Sequence, residues 1–293
     1  MRTVFIGTVN LSEALLLKLL ALDTDVVGVC TLETSSSNSD HCDLSSVATQ
    51  YNLPWRYTPD INSSDNVDWI KGLSPDLICC FGWSTVLKKP LLRLPELGTL
   101  GFHPSALPAN RGRHPIIWAL ALGLEQTGST FYWIGEGIDD GNIVSQEVVN
   151  IATTDDAKSL YDKITILAVQ QLASLVPLIK DGGYPGSKQD EQRATYWRKR
   201  NYNDGQIDWR MSAVSIHNLV RALTRPYPGA HFRFADVDYK VWSTSLVTDV
   251  PNAAEPGKVL DIGDSGLVIK CGLDGLYLSD ISPSLNIKVG VYL

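Results

Sequence analysis

The sequence predicts an open, doubly wound α/β domain followed by a small antiparallel β domain. Two observations carry that expectation. Short apolar runs alternate with helical patterns along the first part of the chain, and beyond residue 208 several strand-like runs follow one another between Gly and Asp turns. A third sets the scale, because 293 residues with 44% hydrophobic and 19% charged side chains suffice for one large core or two modest ones.

TVFIG at the start reads as a buried strand. Gly7 then turns the chain into NLSEALLLKLLAL, where Asn10 followed by Glu13 makes a helix start ahead of a leucine-rich face. DVVGVCTL, Asp25 to Leu32, is a second strand, followed by the polar stretch TSSSNSDHCD and helical patterns near Asp43 to Tyr51 and Asp65 to Leu73. DLICCF, Asp76 to Phe81, is a further buried strand. Strand and helix in alternation give a parallel sheet with helices on both faces, whose ligands sit beyond the carboxyl ends of the strands. The loops after Phe81 and Phe102 are therefore the places to look for chemistry. Neither GxGxxG nor GxxxxGK[ST] occupies the first strand-to-helix turn, so dinucleotide and P-loop readings lose their main support.

Asp155 to Lys180 reads as one long helix, and DGGYPGSKQDEQ after it has the composition of a linker. The expected division is a first domain over 1–182, a linker over 183–208 and a small β-barrel domain over 209–293. In the last, IDWRMSAVSIHNLVRALT reads as a helix, while HFRFADVDYKVWSTSLV, GKVLDIG, SGLVIKCG and GLYLSDISP read as strands.

Charge and cysteine usage narrow the partners. With 25 Lys and Arg against 32 Asp and Glu the net charge is −7, and no basic residue stands between Lys18 and Arg56, which disfavours a nucleic-acid partner held through many phosphates. Cys30, Cys42, Cys79, Cys80 and Cys271 make an odd set without CxxC spacing, so neither a disulfide framework nor a metal site is expected and a reducing cytoplasm is the simplest home. No apolar run reaches the ~18 residues of a membrane span, and the N-terminus lacks a signal peptide's pattern.

The densest cluster of unusual residues is GFHPSALPANRGRHPIIWALALGLEQTG, followed by STFYWIGEGIDDGNIVSQ. His103 leaves a predicted strand and enters a loop stiffened by Pro104 and Pro108 ahead of the Arg111-Gly112 turn, as a base of fixed geometry requires. Among the tryptophans, Trp118 in IIWALAL reads as core, whereas Trp83, on the loop after the third strand, is placed to line a cleft.

The pattern HPSALP, RGRHPIIWAL, G-x-x-x-x-G-x-T and IDDGNIVSQ resembles the formyltransferases that use 10-formyltetrahydrofolate. In that family a strand ending Asn-x-His-x-Ser-Leu-Leu-Pro is followed, 36 residues after the His, by an Asp in a D-x-G turn, and here His103 plus 36 is Asp139. ATYWRKRNYNDGQIDW and RALTRPYPGAHF continue the likeness into the second domain. The resemblance implies a Rossmann-like catalytic domain with an OB-like C-terminal barrel, 10-formyltetrahydrofolate as formyl donor and no metal. It assigns His103 and Asp139 to catalysis and Thr85, Val86, Leu87, Arg113, Gly135, Glu136, Gly137, Ile138 and Asp139 to the folate pocket. Trp83 by its loop, Arg225 and Tyr227 by their place in the TRPYPG joint, and Ser105 are the candidates for the acceptor.

One position departs from the family. Gly101 stands where the family has the Asn that donates to the oxyanion, so either another donor replaces it, with His114 or a water as candidates, or activity is low. The joint sequence and the GRHP turn are similar to the branch acting on UDP- or dTDP-linked amino sugars for surface polysaccharide, with the UDP-4-amino-4-deoxy-arabinose formyltransferases as nearest comparison. The methionyl-tRNA formyltransferases are the more distant branch, and a degenerate binder of folate or sugar nucleotide is the alternative of another class. Barrels of this kind also serve as oligomerisation surfaces, which leaves a homodimer open.

Overall fold

The structure is a computed structural model and describes residues 1–293 apart from Ser37 and Gly183. Its elements run β1 (Arg2–Ile6), α1 (Asn10–Ala21), β2 (Asp25–Thr31), α2 (Ser45–Gln50), β3 (Trp55–Tyr57), α3 (Ser64–Gly72), β4 (Leu77–Cys80), α4 (Lys89–Leu92), β5 (Thr99–His103), β6 (Arg111–Gly112), α5 (Pro115–Ala121), β7 (Gln126–Trp133), β8 (Ile143–Asn150), α6 (Ala157–Lys180) and β9 (Tyr196–Trp197). They are followed by α7 (Ala213–Leu223), β10 (Ala230–Phe234), β11 (Val237–Val247), β12 (Val259–Gly263), β13 (Gly266–Lys270) and β14 (Gly275–Ser282).

The chain forms two compact units, Met1–Pro115 with Thr127–Val149 and Asp162–Trp197, and Ile116–Gln126 with Asn150–Tyr161 and Arg198–Leu293. Within the expected linker Gln189 and Arg200 are buried and Tyr196–Trp197 forms β9, while most of its other described residues are exposed.

The first unit holds a seven-stranded sheet in the order β3-β2-β1-β4-β5-β7-β8. The first five strands pair in parallel, as expected, but β7 runs antiparallel to β5. The chain between β5 and β7 carries only the two-residue β6 and the seven-residue α5, and it re-enters the sheet at the same end it left, where His103 faces Thr130. Strand order reverses between β1 and β4, the place where open sheets form a crevice. Ser12 fastens it: its hydroxyl donates to the Phe81 carbonyl at 2.6 Å and accepts the N–H groups of Thr8 and Val9 at 3.2 Å each.

Alternation along β5 and β7 sorts two environments. Phe102 opposes Phe131, and with Phe5 and Phe81 they form a chain of edge-to-face rings with centroids 5.0 to 5.7 Å apart. The other face carries Gly101 opposite Tyr132 and His103 opposite Thr130. Gly101 also pairs with Cys80 of β4, so Cys80, Gly101 and Tyr132 share one row across the sheet. On α6 the buried residues Leu160, Ile164, Ala168, Leu172, Leu175, Val176 and Ile179 recur every three or four positions, which marks an amphipathic stripe on a helix otherwise long and apolar enough to cross a membrane.

In the second unit α7 starts at Ser212, whose hydroxyl accepts the Ser215 N–H at 3.1 Å, and it buries Ala213, Ile216, Leu219, Val220, Ala222 and Leu223. The five barrel-type strands pair antiparallel in the order β10-β11-β14-β13-β12.

Candidate active site

His103 ends β5 with its side chain only 7% exposed. Its Nε2 lies 2.9 Å from the Asn110 carbonyl, and its Nδ1 faces Asp139 Oδ2 at 3.5 Å. Both neighbours are hydrogen-bond acceptors, and they fix the ring from its two sides. Asp139, 15% exposed, is the more accessible member of the pair.

Donors surround the Asp139 carboxylate. Oδ1 accepts the Tyr132 hydroxyl at 2.6 Å and Oδ2 accepts the Gly112 N–H at 2.8 Å. The backbone is held as tightly, for Gln189 Nε2 donates to the carbonyls of Asp139 at 2.8 Å and Gly141 at 2.7 Å. Asp139 itself sits at φ 49°, in the left-handed region that Asp tolerates better than most residues. Gly112, at φ 104°, approaches β9 so closely that a Cβ would lie 2.3 Å from the Trp197 carbonyl oxygen, and only glycine can present its N–H to Asp139 there.

Behind this lies Arg111, whose side chain is fully buried. Its guanidinium donates to Gln189 Oε1 at 2.8 and 3.2 Å, to both Glu191 oxygens at 2.7 and 3.0 Å and to the Tyr196 hydroxyl at 2.8 Å. Glu191 in turn has its carboxyl held below the usual carboxylate range by these bonds. Arg111, Gln189 and Tyr132 were not among the residues expected from the sequence. The one signal for Arg111 was its place in the RGR turn, which reads as a solvated loop until the strand pairing is known.

The expected cofactor residues lie on three loops joined by specific contacts. Arg113 donates to the Ser84 carbonyl at 2.6 Å, and Lys89 pairs with Glu136 at 2.9 Å, so the segment 83–89 is tied both to the turn after β6 and to the loop 135–139. Leu87 is buried in the core with Ile78, Cys80 and Leu91, while Thr85 and Val86 are exposed. The Val86 carbonyl accepts the Asn62 amide at 2.9 Å. Gly135 and Gly137 close around Asp140, where a Cβ on Gly137 would lie 2.0 Å from a carboxylate oxygen. Ile138 is 55% exposed, and the Trp83 indole N–H is buried without a hydrogen-bond partner in the protein.

Other expectations change. Ser105, read as an acceptor contact, is fully buried, and its hydroxyl donates to the Ala109 carbonyl at 2.9 Å, so it braces the loop. Arg225 belongs to the second unit, where it pairs with Asp280 at 3.0 Å and lies 4.3 Å from the Trp242 ring centroid, and the Tyr227 N–H closes a turn onto Thr224 at 3.0 Å. Trp118, read as core, is half-buried between the guanidinium groups of Arg198 and Arg200, with centroid distances of 5.3 and 5.0 Å. The side chains closest to Gly101 are Ile134 and Tyr132. Among the described residues, no group of three or more His, Cys, Asp or Glu is placed to hold a metal.

The His–Asp pair meets at the carboxyl end of β5, the edge of an open α/β sheet where ligands bind, and so sets an acid–base pair at an enzyme's ligand site. The formyl transferase family matches residues 1–176 and the formyl transferase C-terminal domain residues 199–286, and the chain belongs to the formyltransferase family of enzymes. A methionyl-tRNA formyltransferase from Clostridioides difficile (strain 630) is 31% identical over 300 residues, which span 100% of this chain and 96% of that protein. Among solved structures, the N-formyltransferase of Helicobacter canadensis in complex with folinic acid and dTDP-3-aminofucose superposes with a TM-score of 0.71 at 18% identity, covering 94% of this chain and 98% of that one. HypX of Aquifex aeolicus in complex with tetrahydrofolic acid gives 0.67 at 17% identity over 96% of this chain, which spans only 44% of HypX.

Proposed function

We propose that this enzyme transfers the formyl group of 10-formyltetrahydrofolate to the amino group of a UDP- or dTDP-linked aminodeoxy sugar, in the service of surface polysaccharide. The observation that carries the choice of acceptor is charge. Residues 199–293 hold 10 Lys and Arg against 10 Asp and Glu, a balance of zero, and the segment between Lys18 and Arg56 has no basic residue but five acidic ones. A tRNA held by such surfaces would meet little of the positive field that phosphate binding requires. Kinship with a methionyl-tRNA formyltransferase fixes the chemistry and leaves the acceptor to the site, because relatives on one fold differ in what they bind. The solved relative holding a dTDP-linked amino sugar supports the sugar reading.

The residues present fit the folate. Exposed Val86 and Ile138 offer apolar side chains, the buried Trp83 indole offers a donor, and Arg113 and Lys89 hold the loops together. In this reading Thr85, Val86, Leu87, Arg113 and Gly135 to Asp139 hold the donor, which when bound supplies the formyl carbon on N10. The acceptor amine forms the new C–N bond with its lone pair while the carbonyl pair moves onto oxygen. His103 faces that negative charge, and Asp139 orients its ring. Collapse restores the carbonyl and breaks the bond to N10; the amine gives up one proton and N10 receives one, with His103 as the shuttle.

The test is an incubation with 10-formyltetrahydrofolate, a panel of UDP- and dTDP-linked amino sugars, and methionyl-tRNA. Mass spectrometry should find a formylated sugar that disappears with His103→Ala and Asp139→Ala. Formylation of the tRNA alone would overturn the acceptor, and folate binding without any product would favour the degenerate binder.

A further inference from the structure

Gly101 removes the family's oxyanion side chain, and the structure gives that absence a positive content. Gly101 is paired directly with Tyr132 across β5 and β7. A Cβ built on Gly101 would stand 3.0 Å from Tyr132 Cε1 and 2.6 Å from Ile134 Cγ1, so the aromatic ring and the isoleucine fill the space a side chain at 101 would claim. Tyr132 is only 6% exposed, and its hydroxyl donates to Asp139 Oδ1 at 2.6 Å. That distance is the ordinary one for a hydroxyl on a charged oxygen.

We propose that Tyr132 is a positioning residue of the site and that the bare Gly101 is what seats it: the ring lies over the glycine, and the hydroxyl clamps the Asp139 carboxylate toward His103. The inference rests on the reading of His103 and Asp139 as the catalytic pair. Three contacts fix the carboxylate from three elements, the Tyr132 hydroxyl from β7, the Gly112 N–H from β6 and the His103 ring from β5. The Gly112 N–H and the imidazole both reach Oδ2, so Tyr132 is the group that holds Oδ1 and with it the rotation of the carboxylate. Burial first, and then Asp139, push the phenol well above its ordinary range, which keeps it a neutral donor.

The chain thus trades a polar side chain aimed at the reacting carbonyl for one that locks the carboxylate behind the histidine. Gly101 and Tyr132 are consequently one device, and altering either should have the same effect.

The experiment combines Tyr132→Phe, Gly101→Ala and the double variant, each also in an Asp139→Asn background. It measures formyl transfer to the amino-sugar panel and adds a crystal structure of Tyr132→Phe. Tyr132→Phe should lower kcat about 10- to 100-fold while KM for the formyl donor stays within about twofold, the size expected when a bond to a charged partner of a reacting group is removed. Gly101→Ala should fall similarly, the double variant no lower than the weaker single one, and Tyr132→Phe should add nothing once Asp139 is Asn. An unchanged kcat in Tyr132→Phe, or losses that multiply, would overturn the proposal. If the unaltered enzyme formylates no sugar, the acceptor reading fails. The crystal structure then decides the clamp by itself: a rotated Asp139 carboxylate supports it, and an unmoved one overturns it.

Discussion

Gln189 reaches across fifty residues of chain to hold the carbonyl of Asp139 at 2.8 Å, and it is itself held by the fully buried Arg111 at 2.8 Å. The position of the carboxylate therefore depends on a segment that carries no candidate for chemistry. Glu191 and Tyr196, from the same stretch, complete the guanidinium's partners.

Replacement of Gln189 by Leu should separate support from chemistry. It removes two bonds to backbone carbonyls and two from Arg111, and a loss of about 1 to 3 kcal/mol is expected from polar groups left without partners. Calorimetry should find a lowered Tm, and initial rates should drop about tenfold or more, since small misplacements of a reacting group are expensive. Wild-type rates in this variant would show that the 135–141 loop holds itself.

His103→Ala and Asp139→Asn should each lower kcat by about 10²- to 10⁴-fold, the range for a positioned acid or base. Both side chains are largely buried and partnered, so urea midpoints should fall as well, but tetrahydrofolate should still bind. Isothermal titration alongside the rates checks this, and lost folate affinity in both variants would mean that the pair holds the donor rather than acting on it.

Arg113→Ala should act on binding. Its guanidinium ties Ser84 to the turn after β6, and the loop carrying Thr85 and Val86 loses that anchor with it. KM for the formyl donor should rise severalfold, with kcat less affected, because the loop must be ordered as the ligand arrives. A fall in kcat at constant KM would instead place Arg113 beside the reacting atoms.

Acid should weaken the second unit through His231. This side chain is 2% exposed, its ring centroid lies 4.1 Å from that of Tyr202, and burial, followed by the charge of Lys240, holds its pKa below the ordinary value. The sign follows directly: a histidine neutral in the fold and protonated when unfolded contributes stability above about pH 6.5, and that contribution is lost as pH falls through the lowered value. His231→Phe keeps a ring against Tyr202 without the titration. Urea unfolding between pH 7 and pH 5 should show a shallower decline for the variant, and parallel declines would locate the acid sensitivity elsewhere.

Much of this was legible from the residues. The apolar runs at β1, β2 and β4 announce a parallel sheet because buried strands need continuous hydrophobicity, and the spacing of His103 and Asp139 survives intact into a contact of 3.5 Å. β3 escaped notice because Trp55, Arg56 and Tyr57 form a three-residue edge strand, only half-buried, with no periodic signal. Gln189, Arg111 and Arg200 were hidden by composition, since buried polar groups that satisfy one another look in sequence like solvated loop. Tyr132 was invisible for another reason: its meaning depends on facing Gly101 across an antiparallel pair that no local pattern announces.

The pairing of β9 with β6 bears on how such enzymes exchange parts in evolution. Tyr196 and Trp197 pair with Arg111 and Gly112, and Gln189 and Glu191 are spent on Arg111 and Asp139, so the inheritance of a working site extends through Trp197. A recombination joint at the Gly-rich stretch near residue 182, where composition invites one, would hand those residues to the wrong parent. Swaps of the C-terminal part among relatives should tolerate a crossover after Trp197 and fail before Gln189.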